Sequence, residues 1–273
     1  MRSDSYSVGP IAMVQNLFAQ KRLLVSMVRR DISIRYRGSF IGIAWSLIIP
    51  LLMLVVYTAV FGGIFKARWG GDGSTTQFAL QLFCGLTLHG LLGDCLSRAP
   101  AKVLEHANYV KKVVFPLEIL PVIVVSSSLF HALLSIVILL LAVVFVGDGL
   151  HWPALCLPLV LLPFLLLCLG VSWFLAATTV YVRDLVHVTS LLSTLLLFLS
   201  PIFYPIEMIP TMFRGVMMFN PLTIPVEQLR SVLISGHWPN WGLLGLYTGV
   251  SMLLAWLGYA WFQKARKGFA DVL

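Results

Sequence analysis

The chain has 273 residues, of which 59% are hydrophobic and only 11% are charged, whereas a typical soluble domain has about 25% charged residues. Its mean hydropathy of +0.93 excludes an ordinary water-covered fold and indicates a polytopic membrane protein. The apolar runs are continuous rather than alternating, so we expect an all-α architecture and not a barrel of strands. The net charge of +8 does not indicate nucleic acid as a partner, because the basic residues lie mainly beside apolar segments.

The N-terminal segment, residues 1–38, is predicted to be a cytoplasmic tail that contains an amphipathic helix. Its apolar side chains share one side of a helical wheel, with Arg22, Arg29, Arg30 and Arg37 at or beyond one edge. Such a helix lies in the plane of the inner membrane surface, with its bases toward anionic headgroups. It either only anchors the chain there or also forms a docking surface for a cytoplasmic partner. The apolar positions are Val14, Leu17, Phe18, Leu24, Val25, Val28 and Ile32.

Six long apolar stretches predict six membrane-spanning helices within a transmembrane domain at 39–263, followed by a cytoplasmic tail at 264–273. If both termini are cytoplasmic, all but four of the 19 Lys and Arg residues face the cytoplasm, so the positive-inside rule predicts this orientation. The exceptions are Lys66, Arg68, Arg214 and Arg230. The stretches are roughly 40–62, 78–97, 120–146, 153–179, 187–206 and 242–262.

Motifs for catalysis and nucleotide binding are missing from the sequence, which has no GxxxxGK[ST], HExxH or GxSxG, and its four cysteines have no metal-like spacing. We therefore expect no catalytic, cofactor-binding or metal site on this chain and no enzyme activity. Charged residues are scarce in the middle of the spans, which argues against an ion-driven carrier. Energy for any transport is therefore expected to come from another protein.

A few polar residues in or near the spans need a role of their own. His131 is expected near the bilayer midplane. There it either forms hydrogen bonds between helices as a neutral imidazole or is a functional residue. Asp94 precedes Arg98 by four residues and can pair with it. The acidic residues of the connections, Glu105, Glu118 and Asp184, are expected to remain solvated.

The connection between the second and third spans is predicted to form a short polar helix at 100–112. Pro116 and Pro121 then favour a bend at the entry to the third span. This connection is either a plain linker or a rigid projection that a partner protein grips.

The segment after the fifth span is too apolar for an ordinary external loop and is divided by prolines. It predicts two half-helices, roughly 209–219 and 223–235, that re-enter the outer leaflet and cover the outer mouth of a pore. The side chains expected at this outer gate are Met212, Phe213, Met217 and Phe219.

Aromatic residues gather toward the outer ends of the first and fifth spans. They either form an interfacial belt or face a lumen, where their rings offer faces to sugar C–H groups. These residues are Tyr57, Phe61, Phe198, Phe203 and Tyr204.

Four sequence blocks resemble the permease subunit of ABC-2-type polysaccharide exporters, the group that handles O-antigen, capsule and teichoic-acid polymers. The similarity runs from about residue 12 to the C-terminus and is nearest to the O-antigen permeases of Gram-negative bacteria. The blocks are RRDISIRYRGSFIGIAWSLIIPLLMLVVYTAVFGGIF (29–65), ANYVKKVVFPLEILP (107–121), TTVYVRDLVHV (178–188) and SPIFYPI with NPLTIPVEQLRSVL (200–206 and 220–233).

The resemblance implies an assembly in the bacterial inner membrane in which two copies of the chain pair around a pore lined largely by the first and fifth spans. Two separate ATP-binding subunits would carry ATP and Mg, and the substrate would be an undecaprenyl-diphosphate-linked polysaccharide. Arg35 and Arg37 would meet the lipid pyrophosphate, unless they only anchor the chain to headgroups. The residues implied in docking the ATP-binding subunits are Arg29, Arg30, Asn108, Tyr109, Lys111 and Lys112.

Two alternatives stay open at this point. A capsule or teichoic-acid exporter belongs to the same class, whereas an integral membrane transferase for lipid-linked sugars belongs to a different one. A cytoplasm-facing cluster of acids or histidines in the fold would favour the transferase.

Overall fold

The structure is a computed structural model that describes residues 9–64, 74–112, 115–147 and 149–273, without the side chains of 62–64 and 110–112. The described residues form helices and no strand, which confirms the all-α prediction for them. The α-helices are α1 (Pro10–Ala19), α2 (Lys21–Arg35), α3 (Trp45–Tyr57), α4 (Thr75–Arg98), α5 (Lys102–Glu105), α6 (Ala107–Lys112), α7 (Ile119–Val146), α8 (Leu157–Tyr181), α9 (Leu185–Leu199), α10 (Thr211–Met217), α11 (Thr223–Leu233), α12 (Trp241–Ala265) and α13 (Phe269–Val272).

Five helical segments of the described chain are long and apolar enough to cross a membrane. Each coincides with a predicted span to within a few residues at its start, so a multi-pass membrane protein is confirmed. The first span includes a 3-10 turn before α3 and part of a π-helical turn after it, and the last continues from α12 into α13. The segments are Gly42–Phe61, Thr75–Arg98, Ile119–Val146, Trp152–Tyr181 and Trp241–Val272.

The remaining predicted span, 187–206, contains the helix α9, which is 15 residues long. At 1.5 Å per residue α9 measures about 22 Å, less than the roughly 30 Å of a bilayer core. The helix ends at Leu199 because Ser200, which precedes Pro201, adopts an extended backbone with ψ of 153°. The predicted extension of this helix to residue 206 is therefore too long.

The N-terminal amphipathic segment consists of two helices, α1 and α2, with a break at Gln20. Only some residues of the predicted apolar stripe pack against the rest of the protein, and others are exposed. Leu17, Leu24 and Val28 pack against a buried cluster formed by α7, α8, α12 and α13, and Asn16 donates a hydrogen bond to the Tyr259 hydroxyl at 3.0 Å. These contacts fix the segment to the helical body. The exposed members of the stripe are Val14, Phe18 and Val25.

Helix α4 lies at the centre of the fold. Of its apolar stretch 72% is buried inside the chain, against only 6% for Gly42–Phe61, which contains α3. The main core packs α4 against α7, α8 and α11, and all four cysteines are buried. Helix α3 therefore lies at the edge of the single chain, with most of its apolar surface exposed.

Helices α8 and α12 pack with their backbones nearly touching, at Gly170 and Gly258. A Cβ atom built on Gly258 would lie 2.2 Å from the Gly170 carbonyl oxygen, and one on Gly170 would lie 2.5 Å from the Leu254 carbonyl oxygen. Small residues allow spanning helices to approach in this way and gain dispersion contacts along their length.

Glu118 is not solvated, contrary to the sequence-based expectation. Its carboxylate accepts a hydrogen bond from Arg266 at 2.6 Å, and its carbonyl oxygen accepts one from the Trp173 indole at 2.9 Å. Only 7% of the residue is exposed, so the ion pair compensates for the burial of a charge. This pair joins the start of α7 to the turn that follows α12.

The close contact of α8 and α12 predicts that Gly258→Ala destabilises the protein. The added methyl group overlaps the Gly170 backbone, which should cost about 1–3 kcal/mol and lower the Tm by about 2–4 °C per kcal/mol in detergent unfolding measurements. Gly249→Ala on the same helix is the control, because a Cβ there meets nothing within 4 Å. Equal Tm values for the two variants would contradict the packing described.

Candidate functional site

A group of charged side chains joins α2 to the end of α4 and to α5. Asp31 of α2 accepts a hydrogen bond from the Lys102 ammonium at 2.8 Å and forms an ion pair with Arg98. Burial by itself raises the pKa of Asp31. The hydrogen bonds and charges of Lys102 and Arg98 together outweigh this effect and lower the pKa to about 2. Asp31 is therefore ionised at neutral pH and holds two cations of other helices.

Asp94 of α4 forms the second half of this group. It accepts two hydrogen bonds from the Arg35 guanidinium, each of 3.1 Å, one from Arg98 at 3.1 Å and one from the Ser128 hydroxyl at 2.6 Å. Arg98 also donates to the Ser127 hydroxyl of α7 at 3.1 Å. We call Asp31, Arg35, Asp94, Arg98 and Lys102 the charged junction.

The sequence predicted only the Asp94–Arg98 pair of the charged junction, which the structure confirms. Arg35 and Asp94 are 59 residues apart in the chain, and Asp31 and Lys102 are 71 apart. No local pattern reports pairs of this kind. The sequence contains only an indirect signal. Asp31 is the single acidic residue of the basic amphipathic segment 21–35, and Asp94 is the single acidic residue of the second span, near its end.

A cavity of about 570 Å³ lies beside the charged junction, between α3, α4 and α7. Its lining changes along α3 from polar residues to apolar ones. The Tyr36 hydroxyl lies 3.2 Å from Nδ1 of His131 across the cavity, so His131 joins α7 to the chain entering α3. The polar lining is Arg35, Tyr36, Ser39, Ser46, Thr87, His131 and Ser135, and the apolar lining includes Ile49, Pro50, Met53, Tyr57, Phe83 and Leu86.

The two basic residues predicted to meet a lipid pyrophosphate occupy different environments. Arg35 lines the cavity while it is bound to Asp94, and its side chain remains 42% exposed. Arg37 follows the end of α2 and is exposed on the surface. Only Arg35 therefore combines access to the cavity with a fixed orientation.

Four of the five predicted pore aromatics contact one another in a chain of rings. The centroids of Tyr57 and Phe61 are 6.2 Å apart, those of Phe61 and Phe203 are 5.8 Å apart, and those of Phe198 and Phe203 are 5.9 Å apart and stacked. Tyr204 instead donates a hydrogen bond to the Phe198 carbonyl at 3.1 Å. The rings of Tyr57, Phe61, Phe203 and Phe198 thus form one surface that connects the end of the first span to the end of α9. We call these four residues the ring surface.

Helix α10 carries the predicted outer-gate residues and is largely unpacked. Met212 is 82% exposed and Phe213 is 55% exposed, while Phe219, just beyond the helix, is 91% exposed. Met217 is half-buried and lines a hollow of about 460 Å³ together with Phe213 and Tyr204. An apolar helix this exposed requires lipid or another protein surface around it.

Helix α11, in contrast, is firmly held by the buried Arg230. Its guanidinium donates to the carbonyls of Gln81 on α4 at 3.0 Å, of Pro201 at 2.6 Å and of Ile202 at 2.9 Å, and it pairs with Glu227. It therefore satisfies backbone acceptors left open where α9 stops. The charge pattern of the sequence predicted only that Arg230 lies on the outer side and did not indicate this role.

The residues predicted to dock a cytoplasmic partner lie on α2 and α6. Arg29, Arg30 and Asn108 are exposed, and Tyr109 packs against the cluster beneath α1 and α2. The predicted polar helix at 100–112 is present as two short helices, α5 and α6. Lys111 and Lys112 lie in α6, and their side chains are outside the described part of the chain, as are Lys66 and Arg68 entirely.

A family model described as ABC-2 type transporter matches residues 22–234, a region that includes the charged junction, the cavity and the ring surface. The chain belongs to the ABC-2 type transporter family. This confirms the family predicted from the four sequence blocks. The family comprises transport subunits, which favours transport over the transferase alternative.

Two proteins similar to this ABC-2 type chain cover nearly its whole length. The O-antigen export system permease protein RfbA of Myxococcus xanthus is 28% identical over 263 residues, 96% of this chain and 99% of the relative. The protein of the same name from Klebsiella pneumoniae is 26% identical over 265 residues, again 96% and 99%.

The charged junction predicts that Asp31→Asn destabilises this ABC-2 type chain, because the substitution removes the carboxylate that Arg98 and Lys102 share and leaves them only Asp94 and Glu105, respectively. The loss should be about 1.5–3 kcal/mol, the range for hydrogen bonds to charged groups, and is measured by thermal unfolding at neutral pH. Asp184→Asn is the matched control, since Asp184 is exposed in the turn between α8 and α9.

The same comparison should depend on pH in a defined direction. The pKa of Asp31 is lowered in the folded protein, to about 2, from about 3.9 in an unfolded chain, so its stabilisation is complete above the unfolded value and is lost as pH falls toward 2. The Tm difference between wild type and Asp31→Asn should therefore shrink on acidification. A constant difference down to pH 3 would contradict the assignment.

Proposed function

We propose that this chain is the permease subunit of an ATP-driven exporter that moves lipid-linked polysaccharide, specifically O-antigen, across the bacterial inner membrane. The observation that carries the proposal is the full-length similarity to O-antigen export permeases within the ABC-2 type family. Capsule and teichoic-acid export, the alternatives of the same class, have no such support among these relatives.

The proposed topology has six spans with both termini in the cytoplasm. In this arrangement α9 and the residues after it form the fifth span, and α10 and α11 form a re-entrant pair in the outer leaflet. The length of α9 supports this, because a helix of 15 residues reaches across the bilayer only with the help of the segment that follows it. Arg230 supports it as well, since it satisfies the non-helical carbonyls of that segment from within the protein.

A second copy of the chain is the proposed partner of the exposed faces of α3 and α9. Helix α3 is nearly unburied in the single chain, and several apolar residues of α9 are also exposed. Two copies facing each other through these helices would enclose the ring surface and place α10 of each copy over the outer mouth. The exposed apolar residues of α9 include Val188, Leu191, Leu195 and Phe198.

Two ATP-binding subunits, which carry ATP and Mg, are the proposed source of energy. Each would dock against the exposed surface of α2 and the α5–α6 connection, where Arg29, Arg30 and Asn108 are accessible. The charged junction supports a mechanical role for this surface. A force applied to α2 or α5 reaches α4 and α7 through short ion pairs rather than through a flexible linker.

The cavity beside the charged junction is the proposed entry point for the undecaprenyl-diphosphate end of the substrate. A diphosphate favours a guanidinium and a hydroxyl donor, which Arg35 and Ser39 provide, and the apolar lining along α3 suits a polyprenyl chain. The ring surface farther along the chain would then guide the sugar polymer through contacts with ring faces.

The function is tested by deleting the gene in its host and restoring it with wild type or variants. Deletion should stop surface display of O-antigen and cause the lipid-linked polymer to accumulate inside the cell. The doubly substituted Phe198→Ala, Phe203→Ala variant should slow export by roughly 2- to 10-fold per ring, because each ring contributes a contact of about 0.5–1.5 kcal/mol.

Phe145→Ala is the control for the aromatic variant, because Phe145 is 79% exposed at the end of α7 and is not one of the contacting rings. Both variants should insert and assemble normally. Normal O-antigen display after deletion would refute the proposed function, whereas normal export by the aromatic variant alone would refute only the role of the ring surface.

A further inference from the structure

Two neighbouring hollows on the outside of the helical body share Leu257 and Trp261. The first, of about 560 Å³, lies between α8, α9 and α12, and includes the glycines of the α8–α12 contact in its wall. Every residue that lines it is apolar, among them Val171, Phe174, Leu192 and Leu254. It shares no residue with the cavity that contains Arg35.

The second hollow, of about 490 Å³, lies at the end of α12 and is cationic. Trp256, Lys264 and Lys267 line it together with the two shared residues. Within the described ranges of the chain, neither Lys264 nor Lys267 forms an ion pair with a carboxylate, whereas their neighbour Arg266 is turned inward to Glu118. Two positive charges therefore remain available next to an apolar groove.

The indole between the two hollows is held in place. Trp261 donates a hydrogen bond from Nε1 to the Thr178 hydroxyl of α8 at 3.0 Å, and its ring lies 6.3 Å from that of Phe174. Trp and Lys together at the end of a spanning helix are typical of the level of lipid headgroups, where the indole ring spans the apolar and polar zones. The border between the two hollows is thus rigid and lies at headgroup depth.

We propose that the joined hollows form a binding site for an anionic glycerophospholipid. Its phosphate lies between the ammonium groups of Lys264 and Lys267, and one acyl chain lies in the apolar hollow against α8, α9 and α12. A negative headgroup is favoured because each basic residue near a membrane surface adds about 1 kcal/mol of attraction for anionic lipid. The choline of a zwitterionic lipid brings a positive charge to the same two lysines and gains less.

This site is separate from the proposed transport path and does not depend on it. The apolar hollow sits at the seam where α8 and α12 pack through Gly170 and Gly258, beside Leu192 of α9. A lipid bound here contacts α9 and the α8–α12 pair at once. The lipid therefore adds packing contacts between α9, at the periphery of the chain, and the α8–α12 pair.

Native mass spectrometry of the purified full-length chain in detergent tests the site directly. The probes are dioctanoyl phosphatidylglycerol, dioctanoyl phosphatidylcholine and farnesyl diphosphate, each titrated separately. Wild type should retain one phosphatidylglycerol per chain with clear preference over phosphatidylcholine. The Lys264→Gln, Lys267→Gln variant should bind phosphatidylglycerol roughly 10- to 30-fold more weakly, and its affinity for phosphatidylcholine should not change.

The matched control is Lys21→Gln, Arg183→Gln, which removes two other exposed cations. It should bind phosphatidylglycerol like wild type, and the Tm of each variant confirms that it is folded. Three results would overturn the proposal: unchanged affinity for phosphatidylglycerol in the Lys264, Lys267 variant, equal affinity of wild type for the two phospholipids, or a larger loss of farnesyl diphosphate affinity than of phosphatidylglycerol affinity in that variant. None of these results bears on whether the chain exports polysaccharide.

Discussion

Charges next to a hydrocarbon layer must be compensated within the protein, and the charged junction is where this constraint shapes the fold. Asp31 and Asp94 compensate Arg35, Arg98 and Lys102 at the point where α2, α4 and α5 meet. Removing one partner from a buried group of this kind leaves an uncompensated charge, which costs far more than a surface ion pair contributes. Helix α2 therefore cannot separate from α4 without a large loss of stability. The N-terminal amphipathic segment is therefore a fixed part of the helical body.

Helix α4 connects this junction to the opposite end of the molecule. Its last turns carry Asp94 and Arg98, and near its start the Gln81 carbonyl accepts a hydrogen bond from Arg230, which also holds the end of the α9 segment. The most buried helix thus fixes both ends of the fold, while α3, α9 and α10 keep their apolar faces exposed. A division into a rigid body and an exposed wall suits the proposed transport path between two copies. The cavity beside Arg35 lies where the rigid body meets that wall.

The sequence predicts those parts of the fold that depend on local patterns. Five spans, the short α5–α6 connection and the helices α10 and α11 follow from hydropathy, prolines and helical period. The end of α9 at Leu199 was predictable too, because a residue before proline disfavours the helix, but the long apolar run concealed this signal. The longest-range pairs that fix the fold join residues 59 to 149 positions apart, including Arg35 with Asp94, Glu118 with Arg266 and Arg230 with Gln81. Such pairs depend on how distant helices pack together, and no local pattern in a single sequence indicates that packing.

In the proposed mechanism, the charged junction makes α2, the end of α4 and α5 one rigid unit, through which an ATP-binding partner moves the exposed wall of α3, α9 and α10. Electron spin resonance distance measurements on the reconstituted complex test this, with one spin-label pair at Ser26 and Glu105 and another on Leu52 in the two copies. All three positions are exposed in the single chain. On ATP binding, the Ser26–Glu105 distance should stay constant while the Leu52–Leu52 distance changes. A changed Ser26–Glu105 distance with a constant Leu52–Leu52 distance would contradict the account.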